Sequence, residues 1–174
     1  MSCSTQECTW SCIQPILCRS PLRPHCRAKD HIRLWLPIPN PSRADYSATL
    51  HHSASLSEEW LNCILDVIAA SWTEKTKETY RAGLLVFHVY CDLNLVPNSR
   101  HSPIAQPLLS VFLTSCVGAY SGSTLSNFVA RLRAWHILHG QPWLANHDEL
   151  RSILEGASRL APKASKRPKR ILLK

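Results

Sequence analysis

The sequence predicts an all-α protein: a small bundle of about five helices over residues 56–160, preceded by a disordered Cys- and Pro-rich segment (1–55) and followed by a basic tail (161–174). Three observations carry this reading. Apolar residues recur at helical spacing through the middle of the chain, while no run alternates in the manner of a strand and no Asn-Gly hairpin turn occurs. Capping residues precede those stretches, and Gly or Pro follows two of them. Six of the twelve prolines fall within residues 1–55, a density that breaks helices and removes the donors a strand needs.

The first helix begins at Leu56-Ser57-Glu58-Glu59. Ser57 is the cap, the two glutamates suit the positive helix end, and Leu56 can staple onto Leu61. Trp60, Leu61, Ile64, Leu65 and Ile68 are expected to line its inner face. The second helix runs from Thr73-Glu74 to about Asp92 with Tyr80, Leu84, Phe87 and Cys91 at core spacing, and Pro97 and Pro103 mark the linker after it. The third, roughly Ala105 to Ala119, has Leu108, Leu109, Phe112, Leu113 and Cys116 spread over a wide arc and is expected to be the most buried. Ser121-Gly122-Ser123-Thr124 launches the fourth, whose inner stripe is Leu125, Phe128, Val129, Leu132 and Trp135; Gly140 ends it and Pro142 prevents a restart. Asn146 and Glu149 form a capping-box pair for the fifth, with Leu150, Ile153, Leu154, Ala157 and Leu160 on one face before Pro162 closes it. Within residues 1–55 the only compact apolar cluster is Ile32, Leu34, Trp35 and Leu36.

Charge is distributed unevenly. Residues 56–160 carry eight Lys/Arg against nine Asp/Glu, residues 1–55 carry six against three, and residues 161–174 carry six against none. A near-neutral body with a cationic strap is the arrangement expected of a module delivered to phosphate, although such tails also act as nuclear import signals. No apolar run approaches the ~20 residues a spanning helix needs, and a signal peptide is not expected, which points to an intracellular, nuclear protein. Five of the eight cysteines (Cys3, Cys8, Cys12, Cys18, Cys26) lie before the helices at irregular spacing, so even with His25 and His31 nearby no zinc module is expected. Cys63, Cys91 and Cys116 fall within helices, where a reduced cysteine acts as a small core residue.

At about 100° per residue Lys77, Arg81 and His88 share one polar flank of the second helix, within about 40° of one another. They form a candidate DNA-contacting stripe. Arg131 and Arg133 project about 160° apart on the fourth helix, so only one can face a groove. Arg131 lies with Thr124 and Asn127, residue types that bond phosphates and base edges, and is favoured over Arg133, which lies with Ser126, Ala130 and Ile137. Ser123 belongs with Thr124 at the helix start. The tail adds Lys163, Lys166, Arg167, Lys169 and Arg170. His136 and His139 are expected as hydrogen-bonded core residues and Trp143 as a core plug. No phosphate loop, His-Glu-x-x-His, Gly-x-Ser-x-Gly or paired-Cys motif occurs, so no catalytic constellation, metal or cofactor is expected.

Thr79-Tyr80-x-Ala82-Gly83-Leu84-Leu85-x-Phe87-His88-x-Tyr90-Cys91, Ser121-Gly122-Ser123-Thr124-Leu125-x-Asn127, Trp135-His136-x-x-His139-Gly140-x-Pro142-Trp143, Gly156-Ala157 and Ala161-Pro162 occur in that order. Together they resemble the N-terminal core-binding domain of tyrosine recombinases (phage-integrase type), most of all the forms carried by fungal mobile elements, over about residues 56–170. The resemblance implies a SAM-like helical bundle that clamps double-stranded DNA together with a separate catalytic domain. The family's His-x-x-Arg motif does not occur here, since none of the nine histidines has an arginine three positions on. What it implies is therefore a non-catalytic module that binds DNA in an integration or recombination context, with an intact recombinase or a second copy as further partners and no small-molecule substrate. A different class, a helical protein-interaction module whose tail serves only for import, stays open.

Overall fold

The computed structural model describes residues 20–38 and 58–161. Among these, six α-helices follow one another: α1 (His31–Leu34), α2 (Glu58–Ala70), α3 (Glu74–Leu93), α4 (Gln106–Ser115), α5 (Gly122–Leu138) and α6 (His147–Leu160). Single 3₁₀ turns occupy Ala28–Asp30 and Asn98–Arg100, and the described residues include no strand. The all-α expectation holds, with α2 to α6 as the long helices.

The caps fall where the sequence places them. Thr73 Oγ1 accepts from the Thr76 N–H at 3.2 Å and Ser121 Oγ from the Thr124 N–H at 3.2 Å, each satisfying one of the orphan donors of a helix start. Asn146 Oδ1 accepts from the Asp148 and Glu149 amides at 2.9 and 3.1 Å. The capping box is only half formed, however. Glu149 turns toward α4 and accepts from Ser110 Oγ at 2.7 Å, while the Asn146 N–H goes to Gln106 Oε1 at 2.8 Å. These bonds clamp α6 onto α4. The Ser57 cap and the Leu56–Leu61 staple lie outside the described residues and side chains. Gly140, at φ +58°, ends the turn after α5. Gly118, at φ +88°, serves the bend after α4, which stops at Ser115, short of the expected Ala119.

The most buried element is α5, not α4 as expected. It is embedded among α1, α2, α3 and α6 and buries Leu125, Phe128, Leu132, Ala134, Trp135, His136 and Leu138, whereas α4 buries Leu109, Phe112 and Leu113. Leu125, Phe128, Leu132, Trp135 and Leu138 of α5 meet Leu84, Phe87 and Cys91 of α3 and Leu109, Phe112 and Leu113 of α4 in one core. Burial drives the Cys91 thiol up to about 12 and Cys116 up to about 11, so both remain protonated core groups. Gly83 is where α3 and α5 approach closely, since a Cβ there would lie 3.1 Å from Arg131 Cβ. Tyr80, Val129 and Trp143 pack half-buried against the core.

On α2 the expected face is wrong by part of a turn. Leu65, Ile68 and Ala69 point inward, while Trp60, Cys63 and Ile64 are exposed. Its polar residues Glu58, Glu59, Asn62 and Asp66 occupy one arc of about 100°, and the apolar arc left over is too wide for periodicity alone to say which part of it is buried. Leu160, expected inside, is 71 % exposed at the end of α6.

Residues 20–38 correct the reading of the N-terminal segment as disordered. Ile32 and Trp35 are buried in the bundle core, and the segment lies along α3 and α5. Trp35 Nε1 donates to Pro24 O at 3.2 Å, Trp135 Nε1 donates to Trp35 O at 2.7 Å, and His139 Nε2 donates to Ile32 O at 2.9 Å. Arg23 closes the start of the segment with a bidentate pair to Asp92 at 2.9 and 3.1 Å, both side chains buried. Prolines at 21, 24 and 37 prevent long helices, yet they do not prevent packing when a large indole anchors the strap. Residues 1–19 and 39–57 lie outside the description.

Candidate nucleic-acid interface

The expected stripe on α3 is the flank that receives this segment. His88 is therefore corrected: it is 2 % exposed, wedged edge-on against Trp35 and Trp135 at 5.4 Å, and cannot reach a phosphate. Its Nδ1 lies 3.1 Å from His101 Nδ1, and His101 Nε2 donates to Val96 O at 3.1 Å. That bond leaves His101 Nδ1 as acceptor and fixes His88 as the Nδ1–H tautomer, with both rings neutral. Burial lowers both pKa values, that of His88 strongly. His136 and His139 are core groups, as expected. His136 Nδ1 donates to Leu132 O at 2.8 Å and its Nε2 accepts from the Ile104 N–H at 3.0 Å.

Lys77 and Arg81, about three and two turns nearer the start of α3 than His88, are half-buried and exposed respectively, and the folded segment adds cations beside them. Glu74 is shared by two ammonium groups, Lys77 Nζ at 2.9 Å and Lys29 Nζ at 3.0 Å. Those two bonds, from Lys77 first and Lys29 second, hold its carboxyl below the usual range. Arg81 is exposed and close enough to Cys26 and His31 to influence both, and Arg27 does the same to Lys29. Arg27 and Arg81 have no carboxylate partner among the described residues. Arg33, farther along α1, is paired with Asp66 at 2.7 Å. The result is a face on which Arg27, Lys29, Lys77 and Arg81 stand among the carboxylates of Asp30, Glu74 and Glu78, the last of which the sequence alone marks as able to offset the stripe, and to which residues 20–38 contribute by folding onto α3.

The second expected group does not join this face. Arg131 packs its stem over Gly83, which projects about 160° from Arg81 around α3. Its guanidinium carbon lies 5.8 Å above the Phe128 ring, and burial lowers its pKa, with Tyr80 acting in the opposite sense. Thr124 Oγ1 and Ser123 Oγ are each engaged with Ser121 Oγ at 2.9 Å in the cap, whereas Asn127 is exposed. Arg133, passed over in the sequence reading, is fully at the surface and lines a groove between α5 and α6 with Arg151 and Arg159. Lys163, Lys166, Arg167, Lys169 and Arg170 lie outside the described residues.

Arg27 and Lys29 are not among the residues the sequence singles out, because its proline density predicts disorder for their segment. The signal was present in its excess of three positive charges next to an apolar cluster containing Trp35. Comparison with protein-family models, curated proteins and solved structures finds no match to this chain.

Proposed function

We propose that this protein is a non-catalytic module that binds double-stranded DNA, as its resemblance to the core-binding domain of tyrosine recombinases implies, and that it works in the nucleus. The observation that carries the reading is the cationic face of Arg27, Lys29, Lys77 and Arg81, where two lysines share one carboxylate and two arginines have none among the described residues. Such a face releases counterions when it meets a phosphate backbone and fixes the module's register on the duplex. Neutral-body electrostatics make the face local: the body positions the duplex, and the basic tail supplies long-range attraction.

The test is fluorescence anisotropy with a labelled duplex. Arg27→Ala and Arg81→Ala should each weaken binding about threefold to tenfold and reduce the log–log salt slope by about one. Arg100→Ala, on the linker between α3 and α4, serves as the control and should change neither. Unaltered affinity in both face variants would remove the proposed interface.

A further inference from the structure

We propose that residues 20–38 form a proton-operated latch on the bundle, closed at neutral pH and released as a unit, ahead of the helices, when the histidines at its seam take up protons. The seam is built on Trp35. His31 stacks on its indole at 4.1 Å from within the segment, and His88 of α3 meets it edge-on at 5.4 Å. Each ring is held in one neutral tautomer. His31 Nε2 donates to Cys26 O at 3.3 Å, which leaves Nδ1 to receive any further proton; His88 donates from Nδ1 to His101 Nδ1, which leaves Nε2. His31 Nδ1 and His88 Nε2 are both buried without a partner among the described residues. A proton on either would be a cationic donor facing no acceptor, and one on His101 Nδ1 would confront the His88 N–H at 3.1 Å.

Neighbouring charge does not compensate. The segment itself brings Arg23, His25 and Asp30 to these rings, α3 brings Arg81 and Asp92, and α5 brings His139, which donates to Ile32 O, with His136 behind it. Asp92 is taken by Arg23, Asp66 of α2 by Arg33, and Glu74 by Lys29 and Lys77. Asp30 acts on His31 more weakly than burial or Arg81 does. Burial lowers His31, His88 and His101 alike, with the Cys26 carbonyl opposing it at His31 and the Val96 carbonyl at His101. With the closed-state values depressed, the open segment binds protons more tightly, so the latch is fully closed above the ordinary 6.5 and opens as the pH falls below it. Lifting the segment puts His31 in water, uncovers His88, and takes Arg27 and Lys29 away from Lys77 and Arg81. The latch does not depend on what that face binds.

Hydrogen exchange of the full chain, followed by NMR from about pH 7.5 to about pH 5 and corrected for intrinsic rates, tests this. The Trp35 N–H, bonded to His31 O at 2.9 Å, and the Leu36 N–H, bonded to Leu22 O at 2.8 Å, report the segment, and amides in the middle of α5 report the whole bundle. Protection of the segment should lie below that of α5 throughout and fall by up to about tenfold per pH unit for each histidine that gains a proton on opening. His31→Phe keeps a ring on Trp35 and removes one titrating group, so its protection should fall less steeply, by up to about tenfold per unit. Equal protection of segment and α5 across the range would make them one cooperative unit and overturn the proposal. So would segment protection that does not change with pH, or a His31→Phe variant, folded by circular dichroism, that keeps the wild-type slope. The first two outcomes are read on the unaltered chain.

Discussion

Arg23 and Asp92 bind the N-terminal segment to the end of α3 through a buried, two-bond ion pair. Breaking a buried ion pair by removing one partner is costly, so Arg23→Ala should destabilise the fold by about 3–5 kcal/mol, while Arg23→Met with Asp92→Leu should recover part of that loss. Denaturant midpoints of the single and double variants measure it. His136 provides a second residue-scale test. Burial lowers it from the ordinary 6.5 to about 4, with the Leu132 carbonyl opposing the shift. A depressed folded-state value means that the unfolded chain takes up the proton first, so stability is fully present above pH 6.5 and is lost as the pH falls toward 4. One such group contributes about 3 kcal/mol over that window, and His88 and His101 shift in the same direction. Urea midpoints measured across this range should fall steadily with acidification.

At the scale of elements, two helical glycines should respond oppositely to the same substitution. A Cβ on Gly122 would lie 2.8 Å from Ser158 Cα, a backbone atom of α6 that cannot swing aside, whereas a Cβ on Gly156 meets nothing within 4 Å. Gly122→Ala should therefore cost on the order of 1–3 kcal/mol and Gly156→Ala should stabilise by up to about 1 kcal/mol, both read from thermal melts. The same elements show what could be read from the chain. Helices α3, α5 and α6 were legible because Thr73, Ser121 and Asn146 are local signals that act through neighbouring amides. The buried side of α2 was not, since Ile64 and Ile68 are equally apolar and only tertiary packing distinguishes them. Nor was the role of residues 20–38, where proline density argued against helix and strand correctly but says nothing about whether Trp35 finds a cavity. His88 followed from that omission: a polar flank looks free until the segment that covers it is known.

For the whole molecule, the cationic surface is a product of folding as well as of composition. The helical region has a formal charge of −1, and Arg27 and Lys29 from the N-terminal segment are set beside Lys77 and Arg81. Body and tail should then be separable in solution. Replacing Lys163, Lys166, Arg167, Lys169 and Arg170 with Gln should weaken binding to every duplex alike, while the contacts of Arg27 and Arg81 that fix the register remain. The most direct measurement is the affinity of the full chain for a duplex between about 50 and 200 mM salt, compared with the Arg27→Ala, Arg81→Ala double variant. The account predicts affinity that falls steeply with salt, and a log–log slope shallower by about two in the variant, whose tail is intact. Equal slopes for the two proteins, or duplex binding that is absent at low salt, would contradict it.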